Sequence, residues 1–158
     1  MTHQIRKVAV LGAGTMGAAI AAHCANAGLE VDLLDIAPQG EEDKNKVVKG
    51  GFDRMRKARP PALMGQNVAD RMRIGNFEDD LERVAEADWI LEAILEKLEP
   101  KRDLMERVEA LAKDDAIISS NTSGIPLGSI AEGRSESFRR RFLGTHFFNP
   151  PRYLKLLE

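Results

Sequence analysis

Short apolar runs alternate with longer amphipathic segments along the chain, which predicts an α/β fold. Lys7–Leu11 and Glu30–Asp35 are rich in Val and Leu, and each suits a strand that is buried on both faces of a parallel sheet. Between them, residues 15–27 are mostly Ala, Met and Ile and predict a helix that Gly28 ends. A strand, a helix and a second strand this close together favour a right-handed parallel crossover.

The same pattern continues to the end of the chain. It predicts further strands at residues 88–94, 116–120, 141–147 and 153–157, and helices at residues 40–57, 78–86, 101–112 and 127–132. Arg59-Pro60-Pro61 ends the charged helix at 40–57, because proline cannot continue a helix. Residues 62–75 are predicted to be irregular with some helix. The alternation predicts one doubly wound α/β domain with a mostly parallel sheet.

The segment between the first strand and the first helix has glycine at three positions. Residues 12–17 read Gly-Ala-Gly-Thr-Met-Gly, a dinucleotide-binding fingerprint when it follows a strand and opens a helix. Gly12 allows the tight turn, Gly14 lets the backbone approach a pyrophosphate, and Gly17 lets the helix pack closely on the strand. The free amides of the first helical turn then face the phosphates. We therefore predict a Rossmann-type domain with cofactor contacts at Gly12, Gly14, Thr15, Met16 and Gly17.

An acidic residue at the end of the second strand bears on which dinucleotide binds. Asp35 lies eighteen residues after Gly17, where a carboxylate accepts hydrogen bonds from the ribose hydroxyls of NAD. The same charge would repel the 2′-phosphate of NADP, and Ile36 follows where an NADP enzyme often has an arginine. The sequence therefore favours NAD over NADP, although the glycine fingerprint alone would also suit FAD.

Composition and charge narrow the class of protein. The 158-residue chain has a formal net charge of -2, which provides no electrostatic footprint for nucleic acid. Cys24 is the single cysteine, so an internal disulfide is excluded and a reducing compartment fits best. No apolar run approaches the roughly 20 residues of a membrane helix, and no Cys/His spacing suggests a metal site. We expect a soluble cytoplasmic protein without a bound metal.

Polar residues follow two of the later predicted strands. Asn121 and Ser123 come after one of them, and His146 lies near the end of another. The carboxyl edge of an open α/β sheet carries the ligand crevice, and a histidine there can move a proton near neutral pH, as alcohol oxidation requires. Glu158 could orient that imidazole if the last two segments form an antiparallel pair or an adjacent bend. These residues alone leave open that His146 is a core histidine and that Asn121 and Asn149 only form turns.

Several stretches of the chain resemble the 3-hydroxyacyl-CoA dehydrogenase family. They are residues 12–17, Ser120-Asn121-Thr122-Ser123, His146-Phe147-Phe148-Asn149-Pro150 with a final Leu-Glu, and Glu92-Ala93-Ile94 with Glu96 and Lys101. The last two are highly specific, and the resemblance covers essentially the whole chain. It implies an NAD-dependent oxidoreductase of fatty-acid β-oxidation that acts on acyl-CoA substrates.

The resemblance also implies a role for each matching residue. His146 would be the catalytic base that removes the proton of the substrate's 3-hydroxyl, and Glu158 would be its carboxylate partner. Ser123 would hydrogen-bond the substrate's 3-oxygen. Further residues would line the cofactor and the substrate: Ala93, Ile94, Glu96, Lys101, Asn121 and Asn149.

The architecture of this family continues into a helical domain that closes over the acyl-CoA and usually mediates dimerisation. Because this chain ends at Glu158, we expect residues 1–158 to be an isolated NAD-binding domain that binds NAD and is poorly active alone. The larger protein would be a homo-oligomer. Residues 40–75 look longer and more basic than in short single-function enzymes of the family, and are closer to the large multidomain β-oxidation proteins.

Other interpretations of the same residues stay open. The fold also serves other NAD-dependent dehydrogenases, of the 3-hydroxyisobutyrate or 6-phosphogluconate type, and non-catalytic NAD-binding modules. The segment around His146 disfavours the first, and the intact Ser123, His146 and Glu158 disfavour the second. A group of basic residues could contact CoA phosphates, but interspersed acids favour a solvated helix face; the group consists of Arg54, Arg56, Lys57, Arg59, Arg71 and Arg73.

Overall fold

A six-stranded, all-parallel sheet forms the centre of the protein in a computed structural model that describes residues 4–158. Its strands are β1 (Lys7–Leu11), β2 (Glu30–Asp35), β3 (Met72–Asn76), β4 (Trp89–Glu92), β5 (Ile117–Ser120) and β6 (Phe142–Gly144). Their order across the sheet is β3-β2-β1-β4-β5-β6. The chain therefore winds outward from β1 in one direction and from β4 in the other, which confirms the predicted doubly wound fold.

Helices connect the strands and cover both faces of the sheet. They are α1 (Thr15–Asn26), α2 (Lys46–Arg56), α3 (Leu98–Leu111), α4 (Leu127–Ile130) and α5 (Glu136–Arg140), with short 3-10 helices at Gln66–Arg71 and Leu81–Glu86. Residues of α1 and α2 share one apolar core, and residues of α3, α4 and α5 share another. Among residues 4–158, no helix is both long and apolar enough to cross a membrane.

The residues of β1 show why the sheet needs both helical layers. Val8 and Val10 belong to the core under α1 and α2, whereas Ala9 and Leu11 belong to the core under α3. All four side chains are fully buried, because successive side chains of a strand point to opposite faces. Burying a Val or Leu side chain contributes about 1.5–3 kcal/mol, so an unbroken apolar run is stable only with cover on both sides.

The first half of the chain confirms the β-α-β opening and corrects the segment that follows. The predicted helix at 15–27 ends at Asn26, and Gly28 adopts a φ of 90° just beyond it. The helix predicted at 40–57 begins only at Lys46, since Gly40 takes a φ of 74° in a turn. It is also not simply solvated, because Val48 and two other residues of α2 are buried against the sheet layer.

Strand β3 lies, except for its last residue, in the segment 62–75 that was predicted to be irregular, and that prediction was wrong for residues 72–75. The strand is at the edge of the sheet, and its apolar pattern is interrupted by Arg73. The Arg73 guanidinium donates two hydrogen bonds of 3.0 Å to the buried carboxylate of Asp32 on β2. The strand is therefore held by a charge pair with its neighbour, which a search for apolar runs does not detect.

The second half confirms the strands β4 and β5 and the helices α3 and α4, with shifted ends. Helix α3 begins at Leu98 rather than 101, with Pro100 in its first turn, where proline costs no intrahelical hydrogen bond. The predicted acidic helix at 78–86 is a 3-10 helix at Leu81–Glu86. Helix α5 was missed, although Ser135 caps it by accepting a hydrogen bond from the Phe138 amide at 3.1 Å.

The last two predicted strands were too long. β6 covers three residues, Phe142–Gly144, instead of 141–147, because the chain leaves the sheet after Gly144. The strand predicted at 153–157 is reduced to one antiparallel bridge between Phe147 and Leu157. This bridge nevertheless folds the end of the chain back on the segment that contains His146.

Asp88 anchors the beginning of the central strand β1. One carboxylate oxygen accepts hydrogen bonds from the amides of Arg6 and Lys7 at 2.8 and 3.0 Å, and the other accepts one from Lys113 Nζ at 2.5 Å. Burial raises the pKa of Asp88, but these hydrogen bonds and the Lys113 charge outweigh it and hold the pKa at about 2. The carboxylate thus ties β1 to the turn that precedes β5.

We predict that Asp88→Asn removes a pH-dependent part of the stability. The pKa of Asp88 falls from an ordinary 3.8 to about 2 in the folded chain, so its contribution is complete above 3.8 and is lost as the pH falls towards 2. In urea titrations, the difference in free energy of unfolding between the original chain and the variant should shrink over that range. Asp103→Asn, at an exposed carboxylate on α3, is the control. A difference for Asp88→Asn that does not change with pH would contradict this account.

Candidate functional site

A cleft of about 900 Å³ opens at the carboxyl edge of the sheet, where the chain turns from β1 to one side and from β4 to the other. Ligands bind at this point in open α/β sheets. The cleft is lined by Gly12, Gly14, Thr15, Met16, Asp35, Ile36, Ala93, Ile94, Leu95, Glu96, Pro100, Lys101, Asn121, Ser123, His146, Phe147, Phe148 and Asn149. All of the predicted site residues are in this lining except Gly17 and Glu158.

The three glycines of the first turn are needed for different steric reasons. Gly12 has a φ of 110°, and a Cβ there would lie 2.4 Å from the carbonyl oxygen of Ala93. A Cβ on Gly17 would lie 1.9 Å from the carbonyl oxygen of Gly12, so this glycine serves close packing of the helix. A Cβ on Gly14 would meet nothing within 4 Å. Gly14 thus leaves open space in the cleft, at the start of α1, where a pyrophosphate would need it.

Asp35 holds the same turn from the end of β2. Its Oδ2 accepts a hydrogen bond of 2.6 Å from the amide of Ala13, and its Oδ1 accepts one of 2.6 Å from the amide of Ile36. Each carboxylate oxygen has a second lone pair. The side chain can therefore fix the glycine turn and still accept hydrogen bonds from a diol in the cleft.

A buried ion pair lies at the end of β4. Glu92 is 0% exposed and Lys101 is 1% exposed, and Lys101 Nζ donates a 2.6 Å hydrogen bond to Glu92 Oε1. The Ile94 amide also donates to Oε1 at 2.7 Å, and the Ser120 hydroxyl donates to Oε2 at 2.5 Å. A buried carboxylate is tolerated only with such partners. The pair therefore fastens the ends of β4 and β5 to the first turn of α3.

Glu96 extends this network to the loop that carries Ser123. Its Oε2 lies 3.2 Å from Lys101 Nζ, and its Oε1 accepts hydrogen bonds from the amides of Ser123 and Gly124 at 3.2 and 3.1 Å. The Thr122 hydroxyl donates to the same oxygen. Burial raises the pKa of Glu96, but these donors and the Lys101 charge outweigh it and hold the pKa at about 2. At neutral pH, Glu96 is therefore ionised, and its hydrogen bonds hold the loop that contains Ser123 in place.

His146 and Glu158 face each other across the antiparallel bridge at the end of the chain. The His146 amide donates to the Glu158 carbonyl at 2.7 Å, and the Glu158 amide donates back to the His146 carbonyl at 3.1 Å. Their side chains also approach each other, and the distance between His146 Nδ1 and Glu158 Oε2 is 3.5 Å. The imidazole is partly exposed on the cleft side, so His146 is not a core histidine. With Nδ1 turned to the carboxylate, Nε2 remains available to a ligand.

Asn121 has a structural task besides lining the cleft. Its side-chain oxygen accepts a 2.9 Å hydrogen bond from the backbone amide of Phe147, and its backbone amide donates to the Glu92 carbonyl at 2.8 Å. It therefore joins the end of β5 to the segment that holds His146. Asn121 is more than a turn former, since it sets where the histidine segment runs.

Five further apolar residues of the cleft lining were missed from the sequence. They are Ile36, Leu95, Pro100, Phe147 and Phe148. Ile36 and Leu95 are 56% and 64% exposed, and the rings of His146 and Phe148 lie 4.9 Å apart. Each of these residues directly follows or precedes a predicted site residue, which was the available signal.

The remaining candidates lie outside the cleft. Cys24 is buried in α1, and burial raises the pKa of its thiol to about 12, which excludes it as a nucleophile at neutral pH. None of the six basic residues between 54 and 73 lines the cleft. Within residues 4–158, no group of three or more His, Cys, Asp or Glu side chains is arranged to hold a metal ion.

Comparison with known proteins identifies what this arrangement resembles. Residues 7–158 match the family described as "3-hydroxyacyl-CoA dehydrogenase, NAD binding domain". A Deinococcus radiodurans protein named "Probable 3-hydroxyacyl-CoA dehydrogenase" is 57% identical over 155 residues, which are 98% of this chain and 45% of that protein. The "Fatty acid oxidation complex subunit alpha" of Psychrobacter arcticus is 36% identical over 160 residues, which are 99% of this chain and 21% of that protein.

The solved structures agree with these relatives. The crystal structure of 3-hydroxybutyryl-CoA dehydrogenase from Escherichia coli matches with a TM-score of 0.80 and 29% identity, over 98% of this chain and 32% of that one. The resemblance stated from the sequence is thus confirmed. The chain spans less than half the length of these relatives.

We predict that Lys101→Met destabilises the chain by about 3–5 kcal/mol, because it leaves the Glu92 carboxylate buried without a counter-charge. Adding Glu92→Gln should recover much of the loss, since the amide oxygen still accepts hydrogen bonds. Urea denaturation measures both variants. Lys97→Met, at an exposed lysine just before α3, should change little. A double variant no more stable than Lys101→Met would contradict the buried-charge explanation.

Proposed function

We propose that this chain, which belongs to the 3-hydroxyacyl-CoA dehydrogenase family through its NAD-binding domain, supplies the cofactor half of an enzyme of fatty-acid β-oxidation. The reaction is hydride transfer between NAD and C3 of an (S)-3-hydroxyacyl-CoA, which gives the 3-oxoacyl-CoA. The single observation that carries the proposal is that one cleft contains both the glycine turn and His146, with Glu158 3.5 Å from its imidazole.

The residues at one end of the cleft suit NAD. Gly14 leaves open space beside the first turn of α1, whose amide groups have no acceptor within the helix. Asp35 offers carboxylate lone pairs to the adenosine ribose and opposes an added 2′-phosphate. We assign the remaining cofactor contacts to Thr15, Met16, Ala93, Ile94, Glu96, Lys101, Asn121 and Asn149, with Gly12 and Gly17 shaping the turn.

The residues at the other end suit proton transfer to and from an alcohol. His146 takes the proton of the 3-hydroxyl on Nε2 while the C3–H bond breaks with its electron pair. Bound NAD supplies the acceptor for that hydride. Glu158 orients the imidazole through Nδ1 and offsets the positive charge that the ring gains. Ser123 donates a hydrogen bond to the 3-oxygen, from a loop that Glu96 holds in place.

A further, helical domain would contribute to binding the acyl-CoA. The relatives are more than twice as long as the matched region, and several of the exposed large apolar residues lie at the end of the chain, at Leu143, Tyr153, Leu154, Leu156 and Leu157. We propose that the whole protein is a cytoplasmic homo-oligomer and that residues 1–158 alone bind NAD but turn over poorly. A non-catalytic NAD-binding module is disfavoured, because such a module has no need of the paired His146 and Glu158.

Asp35 should set the choice of cofactor. Asp35→Asn keeps an oxygen that can hold the Ala13 amide but loses the charge, so the affinity for NADH should fall about tenfold, as expected for a charge-assisted hydrogen bond. The preference for NADH over NADPH should shrink at the same time. Fluorescence titration of both nucleotides measures this. Asp115→Asn, at an exposed carboxylate just before β5 on the opposite edge, should leave both affinities unchanged, and an unchanged preference in Asp35→Asn would contradict the assignment.

His146 should be required for turnover and not for cofactor binding. In the protein that carries this chain, His146→Gln should lower kcat for acetoacetyl-CoA reduction by about 10²–10⁴-fold, the usual contribution of a general acid–base. The Kd for NADH should stay nearly the same. Glu158→Gln should lower kcat less, while Glu136→Gln, an exposed carboxylate on α5, serves as its control. Unaltered turnover in His146→Gln would contradict the assignment of His146 as the catalytic base.

A further inference from the structure

Helix α2 contacts the glycine turn at a glycine. A Cβ added to Gly51 would lie 2.0 Å from the carbonyl oxygen of Ala13 and 2.8 Å from its Cβ. Real Cβ atoms do not approach backbone oxygens this closely, so either the helix or the turn would have to move. The neighbouring Gly50 faces elsewhere, since its added Cβ would meet only the end of the Arg54 side chain, at 3.4 Å.

The backbone amide and the backbone carbonyl of Ala13 are both held by neighbouring groups. Its amide donates to Asp35 Oδ2 at 2.6 Å, and its carbonyl side rests against Gly51. The residue itself is 1% exposed. Its two neighbours, Gly12 and Gly14, line the cleft. A displacement of the Ala13 carbonyl would therefore be passed on to the part of the turn that faces the cofactor.

We propose that Gly51 is a positioning residue for dinucleotide binding, because it lets α2 press on the Ala13 carbonyl and so presets the turn before the cofactor arrives. This inference rests on the proposed cofactor site. Helix α2 is held against the core by Met55, which lies one helical turn after Gly51 and is 5% exposed. We therefore expect the glycine turn to shift when an atom is added between it and α2.

The pair of adjacent glycines supplies a matched test. Gly50→Ala and Gly51→Ala add the same methyl group to the same helix and bring the same gain in helix propensity. In the 158-residue chain, Gly51→Ala should raise the Kd for NADH about tenfold or more, the consequence of one overpacked backbone contact. Gly50→Ala should bind NADH as the original chain does. Fluorescence titration of NADH at a temperature where all variants are folded gives these values.

Val48→Ala separates positioning from loss of stability. It removes buried methyl groups from the same helix without adding an atom near Ala13, so it should lower the unfolding midpoint and leave the Kd for NADH nearly unchanged. Equal loss of NADH affinity in Val48→Ala and Gly51→Ala would overturn the inference. So would NADH affinity in Gly51→Ala equal to that in Gly50→Ala.

If Gly51→Ala does not fold, hydrogen exchange in the original chain still tests whether the turn is preset. The Ala13 amide should be protected from hydrogen exchange before NADH is added, and NADH should add little protection, because the turn is preset. Exchange at the rate of an open amide without NADH would overturn the inference. Failure of the original chain to bind NADH is a distinct result, which would contradict the proposed function itself.

Discussion

The contact between Gly12 and the Ala93 carbonyl is the constraint on which the rest of the site depends. Two parallel strands, β1 and β4, lie side by side and send their chains in opposite directions. The two connections can begin this close together only because Gly12 has no side chain, and its φ of 110° turns the chain away from β4 at once. The crevice between the diverging connections is the cleft. Its floor is thus fixed by backbone sterics before any functional side chain is considered.

A buried ion pair then determines which groups line the cleft on the β4 side. Glu92 and Lys101 are fully buried, so each must be satisfied by the other and by the groups around them. Their partners are the Ile94 amide, the Ser120 hydroxyl and Glu96. Glu96 in turn accepts hydrogen bonds from the amides of Ser123 and Gly124. The need to balance the buried charge therefore determines where this loop lies along the cleft. The same network gives the loop a rigid support, which the proposed hydride transfer would need.

The sequence allowed the central elements and most cleft residues to be predicted, since both follow from local patterns. Short runs rich in Val and Leu predicted β1 and β2, and the three glycines predicted the turn after β1. Strand β3 was missed because the ion pair between Arg73 and Asp32 replaces an apolar signal. The meeting of His146 and Glu158 was conditional on a fold-back that spacing cannot establish. Gly51 was beyond prediction, because helical periodicity does not tell what a helix touches.

In the proposed site, NADH binds at the carboxyl edge of the sheet, with the glycine turn at one side of the cleft and His146 at the other. The most direct test is a titration of the 158-residue chain with NADH that is monitored through the amide chemical shifts. The account predicts changes concentrated in residues 12–17, at Asp35, in residues 93–96 and 121–123, and around His146, with little change at the opposite edge near Asp88 and Asp115. Changes centred on that opposite edge, or none at saturating NADH, would contradict it.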